Sequence, residues 1–277
     1  PVVKKSVISE VIALKPTDFK NLTPRLLVRE GDAVKAGTPV FADKFSPEII
    51  FASPVSGIVS EVVRGEKRKL LEIRIKTDKQ IEYIKYDLPK VEDLSAEKII
   101  EALKKSGLWV CLKQRPYGII PNPNVEPKAI FVSGFSSVPA APDYDYALKD
   151  ELDNIQLAIN ALNKRTKGGV HMGLSRISAN STPLHKLKNV YFHVFDGPHP
   201  ADNVGVQIHH ISPVNKGEVV WTVDLPLLAA IGKFFSKGIY DMSRTVAITG
   251  PRANDPCYVK AVAGMSMKDI AEFVSSE

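Results

Sequence analysis

Hydrophobic and polar residues alternate along the first 85 positions, and Gly and Pro interrupt the pattern at short intervals. In the segment LEIRIKTD, the residues Leu71, Ile73 and Ile75 fall on one face of a predicted strand. The spacing of apolar residues becomes helical over Asp93–Gly107, and Gly107 is placed to end that helix. The sequence therefore predicts a strand-rich N-terminal region followed by a helix.

The middle of the chain alternates predicted strands and helices. Apolar runs predict strands at Ala129–Phe135, in VHMGLS and at Val190–Gly197. Apolar residues at steps of three and four predict one long helix over roughly Asp145–Lys164. The segment WTVDLPLLAAIGKFF predicts a strand and then a helix from Pro226, since proline suits a first helical turn. This alternation is typical of an open α/β sheet.

The last segment changes character again. RTVAITG and CYVKAVAG predict two strands, and MSMKDIAEFV predicts a short helix. This order opens a β-grasp unit, so we expect the chain to be a fragment of a longer protein. The predicted fold is multidomain α/β, with a lipoyl/biotinyl-like domain at 1–90, a helix and proline-rich linker at 91–125, an open-sheet domain at 126–243, and the beginning of a truncated β-grasp (SLBB-like) domain at 244–277.

A hairpin pattern at Gly31–Gly57 lays out half of a lipoyl- or biotinyl-type β-sandwich. The glycines of GDAVKAG bracket alternating apolar residues, and ASPVSG supplies a second turn. A carrier domain places a modifiable lysine at the hairpin tip, but here the tip reads ADKFSPEII, and Pro54 lies too far from Lys44. We predict a sandwich without a cofactor, in which Lys44 is an unmodified turn lysine. A carrier protein modified at Lys44 is the alternative.

Composition indicates a globular protein with ordinary cores. The chain has 277 residues, of which 44% are hydrophobic and 25% charged. Apolar runs stay well short of the roughly 20 residues that span a bilayer, and no signal-peptide pattern is present. Cys111 and Cys257 are too few to hold an Fe–S cluster and fit a reducing compartment.

The net charge of +6 is spread along the chain, and its densest run is RGEKRK at Arg64–Lys69. This run contains a glutamate and lacks the interleaved aromatic residues that single-stranded nucleic acids require. We therefore expect no nucleic-acid partner and predict a solvated hairpin. The alternatives are that the run contacts an acidic partner subunit or anionic lipid headgroups.

Motifs for common chemistries are missing from the sequence. The turn after the first strand of the open sheet, SGFSSVPAAPD, has one glycine and two prolines, which removes the backbone donors that a pyrophosphate needs. A dinucleotide site is therefore excluded at this turn. The chain also lacks a Ser-His-Asp order, a nucleophile elbow, a Walker lysine and HExxH. No catalytic residue is assigned.

Four histidines, at positions 193, 199, 209 and 210, fall within eighteen residues. Zinc requires three or four ligands at short, regular spacings, and no cysteine joins them. His193 lies in an apolar strand and is predicted to be a core or sheet-face residue. If QIHHIS is a strand, His209 and His210 point to opposite faces. No metal site is therefore predicted.

The turn GPHPAD presents one of these histidines on a restricted backbone. Pro198 and Pro200 limit the backbone on both sides of His199, and Gly197 relieves crowding before the first proline. A structural role is preferred for the histidines. The alternative is a ligand or partner contact in which this turn acts together with His209 or His210.

Four segments, in this order and spacing, resemble one family. They are EGDAVKAGTPVFADKFSPEIIFASPVSGIV, VVRGEKRKL, FDGPHPADNVGVQIHHISPV and AITGPRANDPCYVKAVAGMSMKDI. The third is the most specific, because few families place GPHP before a QIHH segment and SPV. The chain resembles the A subunit of the bacterial sodium-translocating NADH:quinone reductase.

The resemblance implies a barrel-sandwich hybrid N-terminal domain, a Rossmann-like middle domain and a β-grasp domain. It implies a peripheral subunit on the cytoplasmic side of the bacterial cytoplasmic membrane, with the other subunits of the complex and a quinone as partners. NADH, FAD, FMN and a 2Fe–2S cluster would belong to other subunits, and ubiquinone is the expected ligand of this one. The chain would hold no redox cofactor and would be inactive alone.

Two alternatives stand beside this interpretation. The first is the C subunit of the Rnf electron-transport complex, which is related and adds ferredoxin-type cysteine motifs after its β-grasp domain. The second is a cofactor-free docking or assembly module. Under the preferred resemblance, Gly197, Pro198 and His199, with His209 or His210, would line a quinone or subunit contact.

Overall fold

A computed structural model of the protein describes residues 3–273, and the chain divides into two units. The first unit contains the residues up to Asp87, Ala102–Val110 and the residues from Lys237 onward. The second contains Leu88–Glu101 and Cys111–Ser236. Within the described residues, no helix has the length and apolar character needed to cross a membrane.

The strands of the described residues are, in chain order, β1 (Val3–Ser6), β2 (Val11–Leu14), β3 (Pro24–Leu26), β4 (Ala33–Val34), β5 (Pro39–Asp43), β6 (Ile50–Ala52), β7 (Gly57–Arg64), β8 (Leu70–Thr77), β9 (Lys113–Arg115), β10 (Ile130–Ser133), β11 (Val170–Ser175), β12 (Tyr191–Phe195), β13 (Val220–Thr222), β14 (Ser243–Ile248) and β15 (Cys257–Val262). The α-helices are α1 (Ala96–Ser106), α2 (Tyr144–Ala147), α3 (Leu152–Asn163), α4 (Val204–Ile211) and α5 (Leu225–Lys237). Short 3₁₀ helices lie at Pro16–Asp18, Glu66–Arg68, Val91–Asp93, Leu108–Cys111, Pro183–Lys186 and Met267–Phe273.

Short antiparallel strands build the first part of the first unit. They form one sheet in the order β2-β8-β7-β4 and another in the order β3-β5-β6. Ile73 and Ile75 on β8 are completely buried, as the alternation predicted. Phe41 and Phe51 stack at 4.3 Å between ring centroids and fill the core beside the second sheet. The RGEKRK run forms the turn between β7 and β8.

The C-terminal strands share a sheet with the N-terminal one. The order of that sheet is β1-β15-β14, with β1 and β15 parallel. Val7, Ile248, Cys257 and Val259 form a buried cluster within it. A β-grasp domain was predicted at 244–277, and the described residues of that range lie in the same unit as the N-terminal strands.

The second unit is built on a five-stranded sheet in the order β12-β11-β10-β13-β9. Strands β10 to β13 are parallel, and β9 pairs antiparallel with β13 at the edge. The strands predicted from apolar runs are confirmed as β10, β11 and β12. The open α/β sheet of the predicted fold class is therefore present.

The single helix predicted over 145–164 is wrong, because the chain forms two helices there. The break falls at residues 148–151, where Glu151 leaves helical geometry with φ −111° and ψ 4°. Its carboxylate accepts a hydrogen bond from Asn154 at 2.7 Å and pairs with the nearly buried ammonium of Lys233 at 2.9 Å. This contact to α5 fixes the start of α3, and periodicity within one segment cannot reveal it.

Candidate functional site

The carboxyl ends of β10 and β13 form the switch point of the open sheet. From β10 the chain runs outward through β11 to β12, and then returns to place β13 on the other side of β10. Open α/β sheets bind ligands at the carboxyl ends of their strands, at the point where the strand order reverses. The loops that follow β10, β12 and β13 are therefore the expected position of a binding site.

The GPHP turn follows β12 and leads into α4. Gly197 has a φ of +128°, and the space that a Cβ would occupy there is open. Asn203 ends the turn by accepting a hydrogen bond from the backbone N–H of Gly205 at 2.8 Å, which caps α4. The left-handed glycine and the capped helix thus hold the two ends of the turn in place.

A hydrogen-bond network joins this turn to the loop after β10, and we call it the serine–aspartate cluster. Ser136 and Ser137 donate to the two carboxylate oxygens of Asp202 at 3.0 and 2.6 Å. Nδ1 of His199 lies 3.2 Å from the hydroxyl of Ser137 and 3.3 Å from Oδ1 of Asp202. Both contacts are made through Nδ1, so this nitrogen fixes the orientation of the imidazole ring.

The carboxyl group of Asp202 is stabilised in its ionised form. Partial burial opposes ionisation, but hydrogen bonds from Ser137 and Ser136 and the charge of His199 together lower the pKa of Asp202. The side chain of Asp202 is 14% exposed, whereas that of His199 is 51% exposed. The carboxylate of Asp202 is therefore held in place and largely shielded from solvent, while the neighbouring imidazole of His199 is half exposed.

The cluster contains serine, histidine and aspartate, but its connections differ from those of a hydrolase. In a Ser-His-Asp triad, the aspartate orients Nδ1 while the serine approaches Nε2. Here Ser137 and Asp202 both lie on the Nδ1 side, and Ser137 donates its proton to Asp202. Among the described residues, no hydrogen bond uses Nε2 of His199. The geometry suits presentation of Nε2 to a ligand rather than activation of the serine.

The surroundings of the cluster are acidic. Burial, and then the charges of Asp224 and Asp202, raise the pKa of Tyr144. Asp224 follows β13 and lies 3.6 Å from the ammonium of Lys113. Carboxylates at this edge repel phosphate groups.

His209 and His210 lie in the last turn of α4 and are exposed. QIHHIS is therefore not a strand, and the condition under which the two histidines would point to opposite faces of a sheet is not met. Asn203 caps a helix there, and Ile208 packs with Phe131 in the cluster that covers the sheet. The spacing of Val204, Ile208 and Ile211 was the signal for a helix. His199 precedes the N-terminus of α4, whereas His209 and His210 lie in its last turn.

A second histidine pair lies on a face of the sheet, where a sheet-face position was predicted for His193. Nδ1 of His171 is 2.9 Å from Nε2 of His193, and Nε2 of His171 lies 3.0 Å from the carbonyl oxygen of Gly168. Burial lowers the pKa of both histidines. The register that pairs β11 with β12 creates this contact, so the sequence alone contained no signal for it.

Lys44 begins the turn between β5 and β6 and is exposed. Its backbone N–H donates to the carbonyl of Thr23 at 2.8 Å, and its ammonium lies 5.9 Å from the ring centre of Phe45. The position in a hairpin turn is the predicted one. Within residues 3–273, no group of three or more His, Cys, Asp or Glu side chains is arranged to hold a metal ion.

Two family models match the chain. Residues 1–78 match the NqrA N-terminal barrel-sandwich hybrid domain, and residues 94–240 match the NqrA second alpha/beta domain. The curated proteins that it resembles include the A subunit of the Na(+)-translocating NADH-quinone reductase of Yersinia pestis bv. Antiqua (strain Angola). That protein is 34% identical over 261 residues, which are 94% of this chain and 58% of the relative.

Other relatives have the same name. The protein of Neisseria meningitidis serogroup A / serotype 4A is 34% identical over 266 residues, 95% of this chain and 59% of the relative. The protein of Histophilus somni (strain 2336) is 32% identical over 263 residues, 94% of this chain and 58% of the relative. The chain thus spans a little under three-fifths of the length of these relatives.

Solved structures give a weaker likeness. The NAD+-reducing [NiFe]-hydrogenase in its H2-reduced state matches with a TM-score of 0.44 and 12% identity, over 67% of this chain and 40% of the other.

Proposed function

The chain belongs to the NqrA family, and on that premise we propose that it acts as the A subunit of an Na⁺-translocating NADH-quinone reductase. In this role it is a peripheral subunit on the cytoplasmic side of the membrane, and its partners are the other subunits and a quinone. Because both family models are those of NqrA, the Rnf-type alternative is set aside.

One observation carries the proposed contact: His199 is anchored through Nδ1 at the carboxyl edge of the sheet while half of its side chain is exposed. An imidazole held in this way can hydrogen-bond a quinone carbonyl through Nε2. The same geometry would serve a contact with a neighbouring subunit.

The proposal gives the chain no redox cofactor of its own. The prolines in the loop after β10 and the carboxylates of Asp202 and Asp224 support this assignment, since both disfavour a nucleotide phosphate. NADH, FAD, FMN and the 2Fe–2S cluster are then handled by other subunits. We expect the purified chain to show no NADH:quinone turnover and no bound flavin. Turnover well above background, or a yellow protein, would contradict this assignment.

The decisive variant is His199→Ala in the assembled complex. We expect the KM for quinone to rise about tenfold, because one hydrogen bond to a desolvated carbonyl is lost. Asp202→Asn should give a smaller rise, since it loosens the imidazole without removing it. His185→Ala, at an exposed histidine outside the site, serves as the control.

These measurements distinguish a quinone contact at His199 from a contact with a neighbouring subunit. A raised KM in a fully assembled complex indicates quinone binding, whereas loss of subunits from the purified complex indicates a docking role. If His199→Ala leaves the KM, inhibitor sensitivity and assembly at parental levels, His199 has neither role.

A further inference from the structure

A groove in the first unit lies between residues 16–26 and the turn that joins β7 to β8. It encloses about 480 Å³, within the range of roughly 300–1,000 Å³ that is typical of small-molecule sites. Its lining residues are Pro16, Thr17, Phe19, Leu22, Thr23, Pro24, Leu26, Arg64, Arg68, Lys69 and Leu70. We call it the basic groove, because the charged residues among these are all cations.

The three cations of the basic groove are exposed to solvent. Among the described residues, Arg64, Arg68 and Lys69 take part in no salt bridge, although Lys15 and Arg74 on neighbouring strands do. Arg64 donates one hydrogen bond to the carbonyl of Arg68 at 3.1 Å, which keeps the two side chains at the same rim. The turn therefore keeps a net positive charge, because its four cations outnumber Glu66 and none of them forms a salt bridge within the described part of the chain.

The turn that carries the cations has an unusual backbone. Lys67 and Arg68 have φ values of 52° and 61°, in the left-handed region that residues other than glycine rarely adopt. The hydrogen bond from the N–H of Gly65 to the carbonyl of Lys69, at 2.9 Å, closes the turn around them. Such backbone conformations persist where the surrounding structure holds them, and they concentrate at functional sites.

The floor of the groove is apolar and continuous with the core. Leu70 is 5% exposed, and Phe19, Leu22 and Leu26 are half-buried. The ring of Phe19 packs edge-on against the buried Phe51, with 4.7 Å between centroids. An apolar surface is thus already formed beneath a cationic rim.

A second cavity, in the other unit, lacks this combination. It encloses about 630 Å³ and is lined by the amides of Asn160, Asn163 and Asn189. Its Lys164 ammonium already donates to backbone carbonyls of Val91, Glu92 and Leu94. That cation is committed within the protein, whereas those of the basic groove are not.

We propose that the basic groove binds an anionic phospholipid. The phosphate would lie among Arg64, Arg68 and Lys69, and the first part of an acyl chain would cover the apolar floor. An acidic peptide fits less well. Pro24 on the edge strand β3 has no N–H for strand addition, and no carboxamide or carboxylate side chain lines the groove to pair with a peptide backbone. The inference goes beyond the contact proposed at His199 and does not depend on it.

The first test is binding of the full chain to lipid vesicles. Vesicles of phosphatidylcholine alone are compared with equimolar phosphatidylcholine and phosphatidylglycerol, and bound protein is measured by cosedimentation. We expect binding to the anionic vesicles alone. The triple variant Arg64→Gln, Arg68→Gln, Lys69→Gln should lose roughly a hundredfold in affinity, from about fivefold per cation.

A matched control removes the same charge elsewhere. Lys186→Gln, Lys188→Gln and Lys216→Gln together replace three exposed lysines of the second unit. We expect this variant to bind within about twofold of the parent. An equal loss in both triple variants would overturn the proposal, because attraction would then follow net charge. Thermal unfolding checks that both variants remain folded.

The second test separates a lipid site from a site for free anions. Dihexanoyl phosphatidylglycerol, glycerol 3-phosphate and inorganic phosphate are titrated into the chain and followed by calorimetry. We expect the lipid to bind at least tenfold more tightly than either phosphate, and Leu22→Gln to remove that advantage. Equal affinity for inorganic phosphate, or tighter binding of polyglutamate than of the lipid, would overturn the proposal.

Discussion

Two half-buried histidines share a hydrogen bond across neighbouring strands, so the sheet carries a pH-dependent contact. Burial lowers the pKa of His171 and His193 from the ordinary value of 6.5. Between the lowered values and 6.5, the unfolded chain binds more protons than the folded chain does. The free energy of unfolding should therefore decrease as the pH falls through this window.

Replacing one member of the pair tests this linkage. We predict that His193→Phe keeps the stacked ring but flattens the dependence of unfolding free energy on pH below 6.5. Urea unfolding over a pH series measures the slope. His185→Gln, outside the pair, controls for the loss of a histidine as such. A slope that matches the parent in both His193→Phe and His171→Phe would contradict the prediction.

Contacts between individual side chains were the features least predictable from the sequence. The GPHP turn was identified as a stiff loop after a strand, and His199 as its presented side chain. Ser137, which contacts Nδ1 of His199, and Ser136, which donates to Asp202, come from a loop more than sixty residues earlier. A contact between such distant loops depends on strand order. Because a single sequence does not show the strand order, it could not predict this contact.

Close packing of α3 against α5 depends on one glycine. A Cβ at Gly232 would lie 1.6 Å from the backbone carbonyl oxygen of Asn154 and 2.3 Å from its carbon. These are main-chain atoms of α3, so no side-chain rotation can relieve the overlap. The two helices would have to separate.

We therefore predict that Gly232→Ala destabilises the second unit by at least about 3 kcal/mol, although alanine favours helix by up to about 1 kcal/mol. Gly205→Ala is the matched control, since its Cβ would meet Asn203 Oδ1 at 3.1 Å. We expect a change within about 1 kcal/mol there. Chemical denaturation of both variants measures the difference. Similar stabilities would show that α3 and α5 are not held this closely.

The end of α3 also supports a segment that precedes α1. The ammonium of Lys164 donates to the carbonyls of Val91, Glu92 and Leu94 at 2.6, 2.9 and 2.7 Å. The 3₁₀ turn at Val91–Asp93 is thereby tied to the helix. We predict that Lys164→Met costs about 1–2 kcal/mol, because hydrogen bonds from a charged donor are lost at a partly solvated site.

Amide hydrogen exchange provides a local measurement for Lys164→Met. The amides of Asp93 and Leu94, which close the turn, should exchange faster than in the parent. Lys167→Met, three positions along and exposed, should leave both rates unchanged. Unchanged rates in Lys164→Met would mean that the turn is held by other contacts.

Helices and strands were predicted well where the spacing of apolar residues alone determines which face is buried. They were predicted poorly where a contact with a residue distant in sequence determines the structure. The strand β8 and the helix α5 follow their apolar spacing directly. For the segment of α4, sequence analysis considered a strand at QIHHIS and assigned no helix. Its cap at Asn203 and its packing on Phe131 choose the helix. The break before α3 depends on Glu151 and Lys233, which are far apart in sequence.

At the scale of the whole molecule, the chain passes between its two units several times. The N-terminal strand β1 pairs with β15, and Ala13 donates its backbone N–H to the carbonyl of Gly264 at 2.9 Å. A boundary was predicted at 243 from the order of strand, turn, strand and helix that follows it. The order of elements does not show which strands pair, so the boundary stays a prediction. It can be tested by asking which strands unfold together.

Ile248→Ala tests whether the C-terminal strands unfold together with the N-terminal region. Ile248 is 6% exposed, in a cluster with Val7 and Val259, so the variant should cost about 2–5 kcal/mol. If residues 3–87 and 237–273 form one cooperative unit, hydrogen exchange should accelerate in β2 and β8 as well as in β14 and β15. Ile155→Ala, at a buried position of α3, should instead accelerate exchange in the second unit. Acceleration confined to residues 244–273 in the Ile248 variant would favour a separate C-terminal domain, because local unfolding would then stop at the boundary that the sequence predicted.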